Sequence, residues 1–422
     1  MASRSAADMQ PSTPVCRRPF RLGAATATVI AAQLLLVGCA SDRYSAVPSA
    51  LAGDLTFAQV ENARFAGEDV AALRVEAERA VARRRTQPQS AAPVTFLALS
   101  GGQEDGAFGA GLLAGWSQHG GRPEFEIVTG TSTGALAAPF AFLGSEFDWA
   151  LEAMYTRTGI DDIVDKRYLV AAVNNDAMMD TEPLARTIAK YLSSSVLQRI
   201  AEEYRKGRLL LISTTNLDSG KLVIWNIGAI AASENPQRLE LVRKIILASA
   251  AVPGLFPPVM IDANLNDGRH QEMHVDGGAV SQIFLYPPSL DMAAIIKPFA
   301  KKLRPAAYII RNGRVSPEPE EVERKTLAIA GRAITTMIAA NAVGELYRIY
   351  TTTQRDHIDF NLALIEDDFA VPYKTRFDPG YMGKLFAHGR AKGIAGYAWQ
   401  TIPPGYSRTS RASGNRQTSA KD

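Results

Sequence analysis

Twice in quick succession this chain runs an unbroken apolar segment of strand length into a glycine-rich turn and then into an apolar helix. Residues 94–99 (VTFLAL) lead into SGGQEDGAFGAG at 100–111 and an apolar stretch around 112–116. Residues 125–128 lead into Gly130-Thr131-Ser132-Thr133-Gly134 and a second apolar helix. Strands that lack in-out alternation are buried on both faces, so they need helices on each side. The pattern predicts a three-layer α/β/α fold with a mainly parallel central sheet. Further strands are expected at 209–213, 274–275, 307–310 and 360–365, with 222–225 pairing back on 209–213 through Asp218-Ser219-Gly220. Helices are expected within 57–86 and over 321–350. With 46% hydrophobic and 21% charged residues in 422, disorder throughout, collagen and coiled coil are excluded.

Chemistry concentrates in the turns. Gly130-Thr131-Ser132-Thr133-Gly134 is G-x-S-x-G between a buried strand and a helix, the context that exposes a serine hydroxyl at a sharp turn near the positive end of the helix. Its two glycines leave room beside the serine. The loop 100–111 lacks the Gly-Lys-Ser/Thr of a Walker loop, and Gly106, Gly109 and Gly111 do not follow the dinucleotide order. Its backbone N–H groups at a helix start suit an oxyanion. Asp276-Gly277-Gly278 places a carboxylate at a tight turn after a strand; alone, such an Asp reads as a turn cap. No His/Cys/Asp cluster has metal-ligand spacing, so neither metal nor cofactor is expected.

Together these segments resemble the patatin-like phospholipase family, from about residue 94 to about 288. Residues 248–258 (ASAAVPGLFPP) are similar to the family's Ala-Ser-x-Ala-x-P…F-P segment. The resemblance implies a Ser132–Asp276 dyad without histidine, Ser132 as nucleophile and Asp276 as proton acceptor. It implies oxyanion donors from Gly101, Gly102 and Gln103, with Gly106, Gly130, Gly134, Gly277 and Gly278 shaping the motifs. A raised carboxyl pKa is then expected. The loop departs from the family: Gln103 stands where a third glycine is usual and Asp105 where a basic residue is usual. Asp105 is expected to cap the helix that follows. The implied activity is hydrolysis of lipid acyl esters. The rivals are an esterase or thioesterase on non-membrane acyl substrates and a non-catalytic lipid-binding envelope protein. A serine–acid–histidine triad would need His357 or His388, both of which read as surface or structural residues; His274, close before Asp276, reads as structural. Phe256 and Leu255 could line an acyl pocket or belong to the core.

The N-terminus reads as an address. A cationic patch at 17–21 precedes the uncharged run 22–38 and Leu36-Val37-Gly38-Cys39, which resembles a bacterial lipobox with Cys39 as the lipidated residue. An ordinary signal peptide or short span is the alternative. Ala40 and Ser41 favour outer-membrane delivery within the bacterial envelope. Without residues 1–39 the chain carries 42 basic and 42 acidic residues, which removes the electrostatic case for nucleic acid. The expected organisation is a signal over 1–39, a polar tether and helix over 40–93 ending in the solvated run Arg83-Arg84-Arg85, a catalytic domain over 94–290, an α/β extension over 291–402 and a disordered tail over 403–422. The partners expected are a lipid or other acyl-ester substrate and, through the anchor, a membrane.

Overall fold

The computed structural model describes residues 43–48, 60, 62–87, 92–159, 162, 165–166, 179–265, 268–299, 304–315, 321–372 and 375–406. The expected signal, Cys39 and nearly all of the expected tail lie outside them. In chain order the elements are β1 (Arg64–Ala66), α1 (Val70–Arg85), β2 (Thr95–Leu99), α2 (Gly106–His119), β3 (Ile127–Gly130), α3 (Thr133–Leu143) and α4 (Asp148–Thr156). Then come the two-residue pair β4 (Asp165–Lys166) and β5 (Met179–Asp180), α5 (Glu182–Tyr191), α6 (Ser194–Arg205), β6 (Leu209–Asn216), β7 (Lys221–Asn226), α7 (Ile227–Ala232) and α8 (Arg238–Ser249). The remainder is β8 (Val259–Leu265), β9 (Gly268–Asp276), α9 (Met292–Ile296), β10 (Ala306–Ile310), α10 (Thr326–Arg355), β11 (Asp359–Ala363) and α11 (Pro379–Ile394).

Nine of these strands form one sheet. Its path is β1-β7-β6-β3-β2-β10-β11, with β9 joined to β6 and β8 to β9. The run from β6 to β11 is parallel, and β1, β7 and β9 are antiparallel to their neighbours. Successive β2 side chains enter two separate cores: Leu97 and Leu99 pack with α2 and α3, while Phe96 and Ala98 pack with α1, α9 and α10. That is the three-layer arrangement, and β2 is buried at all five positions.

Strand β6 forks the sheet. It carries β7 along one edge from Leu211 to Asn216. The other edge is shared, first by β3, whose Gly130 pairs with Ile212, then by β9, whose Asp276 pairs with Thr214. The strand leading to Ser132 and the strand ending at Asp276 therefore meet end to end on one backbone, although the two residues lie far apart in sequence.

Some expectations need correcting. Strands β10 and β11 continue the same sheet, β10 pairing directly with β2, so the expected division at 290–291 cuts through one hydrogen-bonded layer. The arginine run is only partly solvated: Arg85 is exposed, but Arg84 is buried and pairs with Glu126 at 2.9 Å, and Arg83 pairs with Glu76 at 2.9 Å. Part of the expected tether is docked. Arg43 clamps Asp218 with both terminal nitrogens at 2.9 Å, and Ser45 O accepts Gln271 N–H at 3.1 Å.

Helices α2 and α11 approach almost backbone to backbone. A Cβ at Gly111 would lie 2.1 Å from Phe386 O, one at Gly115 2.1 Å from Arg390 O, and one at Gly389 2.4 Å from Phe108 O. Any side chain there forces the helices apart. The C-terminal helix is thereby fixed against the helix that begins at the glycine loop.

Candidate active site

Ser132 follows β3 and opens α3 with φ 56° and ψ −126°, a conformation that non-glycine residues avoid at a cost of about 1–3 kcal/mol. The flanking glycines explain why the turn closes: a Cβ on Gly130 would lie 2.6 Å from Gly134 O, and one on Gly134 2.3 Å from Leu99 O. Ser132 N–H donates to Ser249 Oγ at 3.0 Å, and Thr131 Oγ1 and Ser213 Oγ share a hydrogen bond at 2.7 Å. The turn is thus held from two neighbouring elements. Thr133 is tied to the buried Tyr155 hydroxyl through both its Oγ1 and its carbonyl oxygen, at 2.8 and 2.7 Å.

Asp276 ends β9. Its N–H donates to Ala251 O at 2.8 Å, and its Oδ1 accepts Gly278 N–H at 2.7 Å. The second carboxylate oxygen is buried without a close partner among the described residues. Burial raises the carboxyl pKa from 3.8 to about 7; the Ser132 hydroxyl and the Gly278 N–H pull the other way. Ser132 and Asp276 are 5% and 3% exposed. Residues 248–258 serve as a staple, since Ser249 holds the serine turn and Ala251 holds the aspartate.

The glycine loop is only partly available to an incoming oxyanion. Gly101 N–H is taken by Gln282 O at 2.9 Å, which corrects its expected role as a donor. The N–H groups of Gly102 and Gln103 make no hydrogen bond to a described residue. Gly102 has φ 153°, and a Cβ there would sit 1.9 Å from Asn312 O; Gln103 has φ 52°. Gly106 contacts the serine turn, where a Cβ would lie 2.2 Å from Thr133 Oγ1, and Gly277 contacts β6, where one would lie 2.5 Å from Ser213 Oγ. Asp105 precedes α2 without a capping bond, contrary to its expected role. Its Oδ1 instead accepts the Tyr381 hydroxyl at 2.8 Å.

The positive charge missing from the loop comes from a distant segment: Arg376 Nη1 donates to Gln103 Oε1 at 2.7 Å. Asn312 completes the bracing, donating Nδ2–H to Ser100 O at 2.9 Å and accepting Gly109 N–H at 3.1 Å. Sequence reasoning missed Arg376, Asn312, Ser249 and Tyr381. Only Ser249 lay in a segment that had drawn notice.

A pocket opens beside Ser132, lined mainly by apolar side chains, among them Leu136, Met154, Ile188, Val252, Phe256 and Met382. Phe256 reaches it; Leu255 belongs to the core. The histidines lie elsewhere. His274 is buried, with Nδ1 on Thr214 and Nε2 on Glu272 at 2.9 and 3.1 Å. His357 takes φ 56° just beyond the end of α10. His388 faces Asp368 at 3.4 Å. Among the described residues no cluster of three His, Cys, Asp or Glu could hold a metal, and no helix is long and apolar enough to cross a membrane.

Residues 97–287 match the model for Patatin-like phospholipase. This segment is a patatin-like phospholipase domain. The domain spans both Ser132 and Asp276 and points to lipid acyl hydrolysis. No curated protein matches the chain. Among solved structures, VipD from Legionella pneumophila aligns over 72% of this chain and 67% of its own at 11% identity, with a TM-score of 0.30.

Proposed function

We propose that the chain is a lipid-anchored serine acyl hydrolase that cleaves carboxylic esters of lipids with a Ser132–Asp276 dyad. The observation that carries this reading is a buried serine at positive φ facing a buried carboxyl that keeps its proton to about pH 7, at the end of an apolar pocket. Asp276, once ionised, takes the Ser132 proton as Oγ attacks the ester carbonyl. The amides of Gly102 and Gln103 receive the developing oxyanion, an interaction commonly worth about 2.7–4 kcal/mol per donor. The tetrahedral species collapses as Asp276 hands its proton to the leaving alkoxide. Water then gives a proton to Asp276, attacks the acyl-enzyme and frees Ser132, which recovers its proton. The apolar pocket receives the acyl chain.

Anchoring through Cys39 in the bacterial envelope, with delivery to the outer membrane, is supported by Leu36-Val37-Gly38-Cys39 and by Ala40 and Ser41. A Cys39→Ala chain that still carries lipid in metabolic fatty-acid labelling would remove it. Hydrolysis is tested with a fluorophosphonate probe and lipid esters. Wild type should be labelled at Ser132 and turn over ester, and Ser132→Ala should do neither. Unimpaired turnover by Ser132→Ala would end the reading.

A further inference from the structure

The side chain of Gln282 spans the gap between the two glycine turns. A Cβ placed on Gly101 would lie 2.6 Å from Gln282 Oε1 and 3.1 Å from Ser132 Cβ. A Cβ placed on Gly278 would lie 3.2 Å from Gln282 Nε2 and 3.0 Å from Asp276 Oδ1. The side-chain amide therefore flanks the serine at its oxygen end and the carboxylate at its nitrogen end. It makes no hydrogen bond to any described residue, though an amide has four to offer. Its backbone, by contrast, is fixed on both sides. Gln282 O accepts Gly101 N–H at 2.9 Å, while Gln282 N–H and Ile283 N–H donate to the Glu345 carboxylate at 3.2 and 3.0 Å. A rigidly held residue with an open amide beside reacting groups suits a ligand that comes and goes.

We propose that Gln282 positions the water that hydrolyses the acyl-enzyme; this rests on the dyad reading above and adds a residue to it. In the acyl-enzyme, Ser132 Oγ is esterified and can no longer orient a water toward Asp276. The water gives one proton to the Asp276 carboxylate and donates its other O–H to Gln282 Oε1, while its oxygen bonds to the acyl carbon. The C–Oγ bond then breaks, Ser132 Oγ takes the proton back from Asp276, and the carboxylic acid leaves. Acylation needs no such water, so the residue acts on one half-reaction alone.

The test separates those halves. Gln282→Leu and Gln282→Met are compared with wild type in stopped-flow hydrolysis of a p-nitrophenyl ester, in fluorophosphonate labelling and in intact-mass detection of acyl-enzyme. The expected result is a steady-state rate lowered about tenfold or more, a burst rate and labelling rate within about twofold of wild type, and acyl-enzyme that accumulates in the variants. Unchanged turnover overturns the inference. So does labelling that falls in step with turnover in both variants, which would mean that Gln282 only supports the loop. A wild type that takes no label at Ser132 would instead overturn the dyad reading.

Discussion

Replacing Asp276 with Asn should stabilise the protein in a pH-dependent way, because the site is held together against its own carboxylate. In the folded chain burial keeps the Asp276 carboxyl protonated up to about pH 7, whereas its ordinary value is 3.8. Between those values the native state binds the proton and the unfolded state does not, so stability falls as pH rises through that window. Below 3.8 both states are protonated and nothing is lost; above about 7 the loss is complete. At about 1.4 kcal/mol per pH unit the full cost is on the order of 4 kcal/mol. Asn keeps an acceptor for Gly278 N–H and has no proton to lose. Urea denaturation of wild type and Asp276→Asn should therefore show a stability gap that widens in favour of Asn by roughly 3 kcal/mol between about pH 4.5 and 8.5. Other raised carboxyls such as Glu126 and Glu345 occur in both proteins and cancel. A gap that stays flat across this range would refute the reasoning.

The same carboxyl should govern catalysis. With Asp276 as base, kcat/KM should climb about tenfold per pH unit below neutrality and level off above about pH 7, a profile read directly from initial rates. Gly102→Ala should abolish turnover and destabilise the chain by more than ~2 kcal/mol, since its Cβ would collide with Asn312 O; thermal denaturation and ester assays check both. Arg376→Met should lower kcat about tenfold with KM nearly unchanged, because it withdraws a charged donor from the Gln103 side chain. His357→Ala and His388→Ala should each keep turnover within about twofold of wild type, since His388 faces Asp368 and His357 follows the end of α10.

The sequence made the sheet legible wherever burial on both faces left an unbroken apolar run, as in β2 and β6. The serine and aspartate turns were legible because sharp turns demand glycine at fixed offsets. What the sequence concealed depends on partners with no local signature. Arg376 and Tyr381 lie 273 and 276 positions from the loop residues they hold, and neither the spacing nor the charge of the residues around them announces a loop contact. The use of Gly101 N–H by Gln282 follows from how the turn after β9 folds back, which no pattern within 100–111 encodes. Gly111 reads as a loop glycine in the sequence, yet with Gly115 it serves a helix crossing whose other half is Gly389 and Gly393.

That crossing has a consequence for how the glycine loop is supported during synthesis. The helix that starts at the glycine loop meets α3 and α4 early, but its closest backbone neighbour is α11, at Pro379–Ile394, and Arg376 arrives just ahead of it. A nascent chain that ends before α11 possesses serine, aspartate and glycines, but not the helix that buttresses α2. A product that terminates before Pro379 keeps Ser132 and Asp276 but lacks the helix whose backbone comes closest to α2.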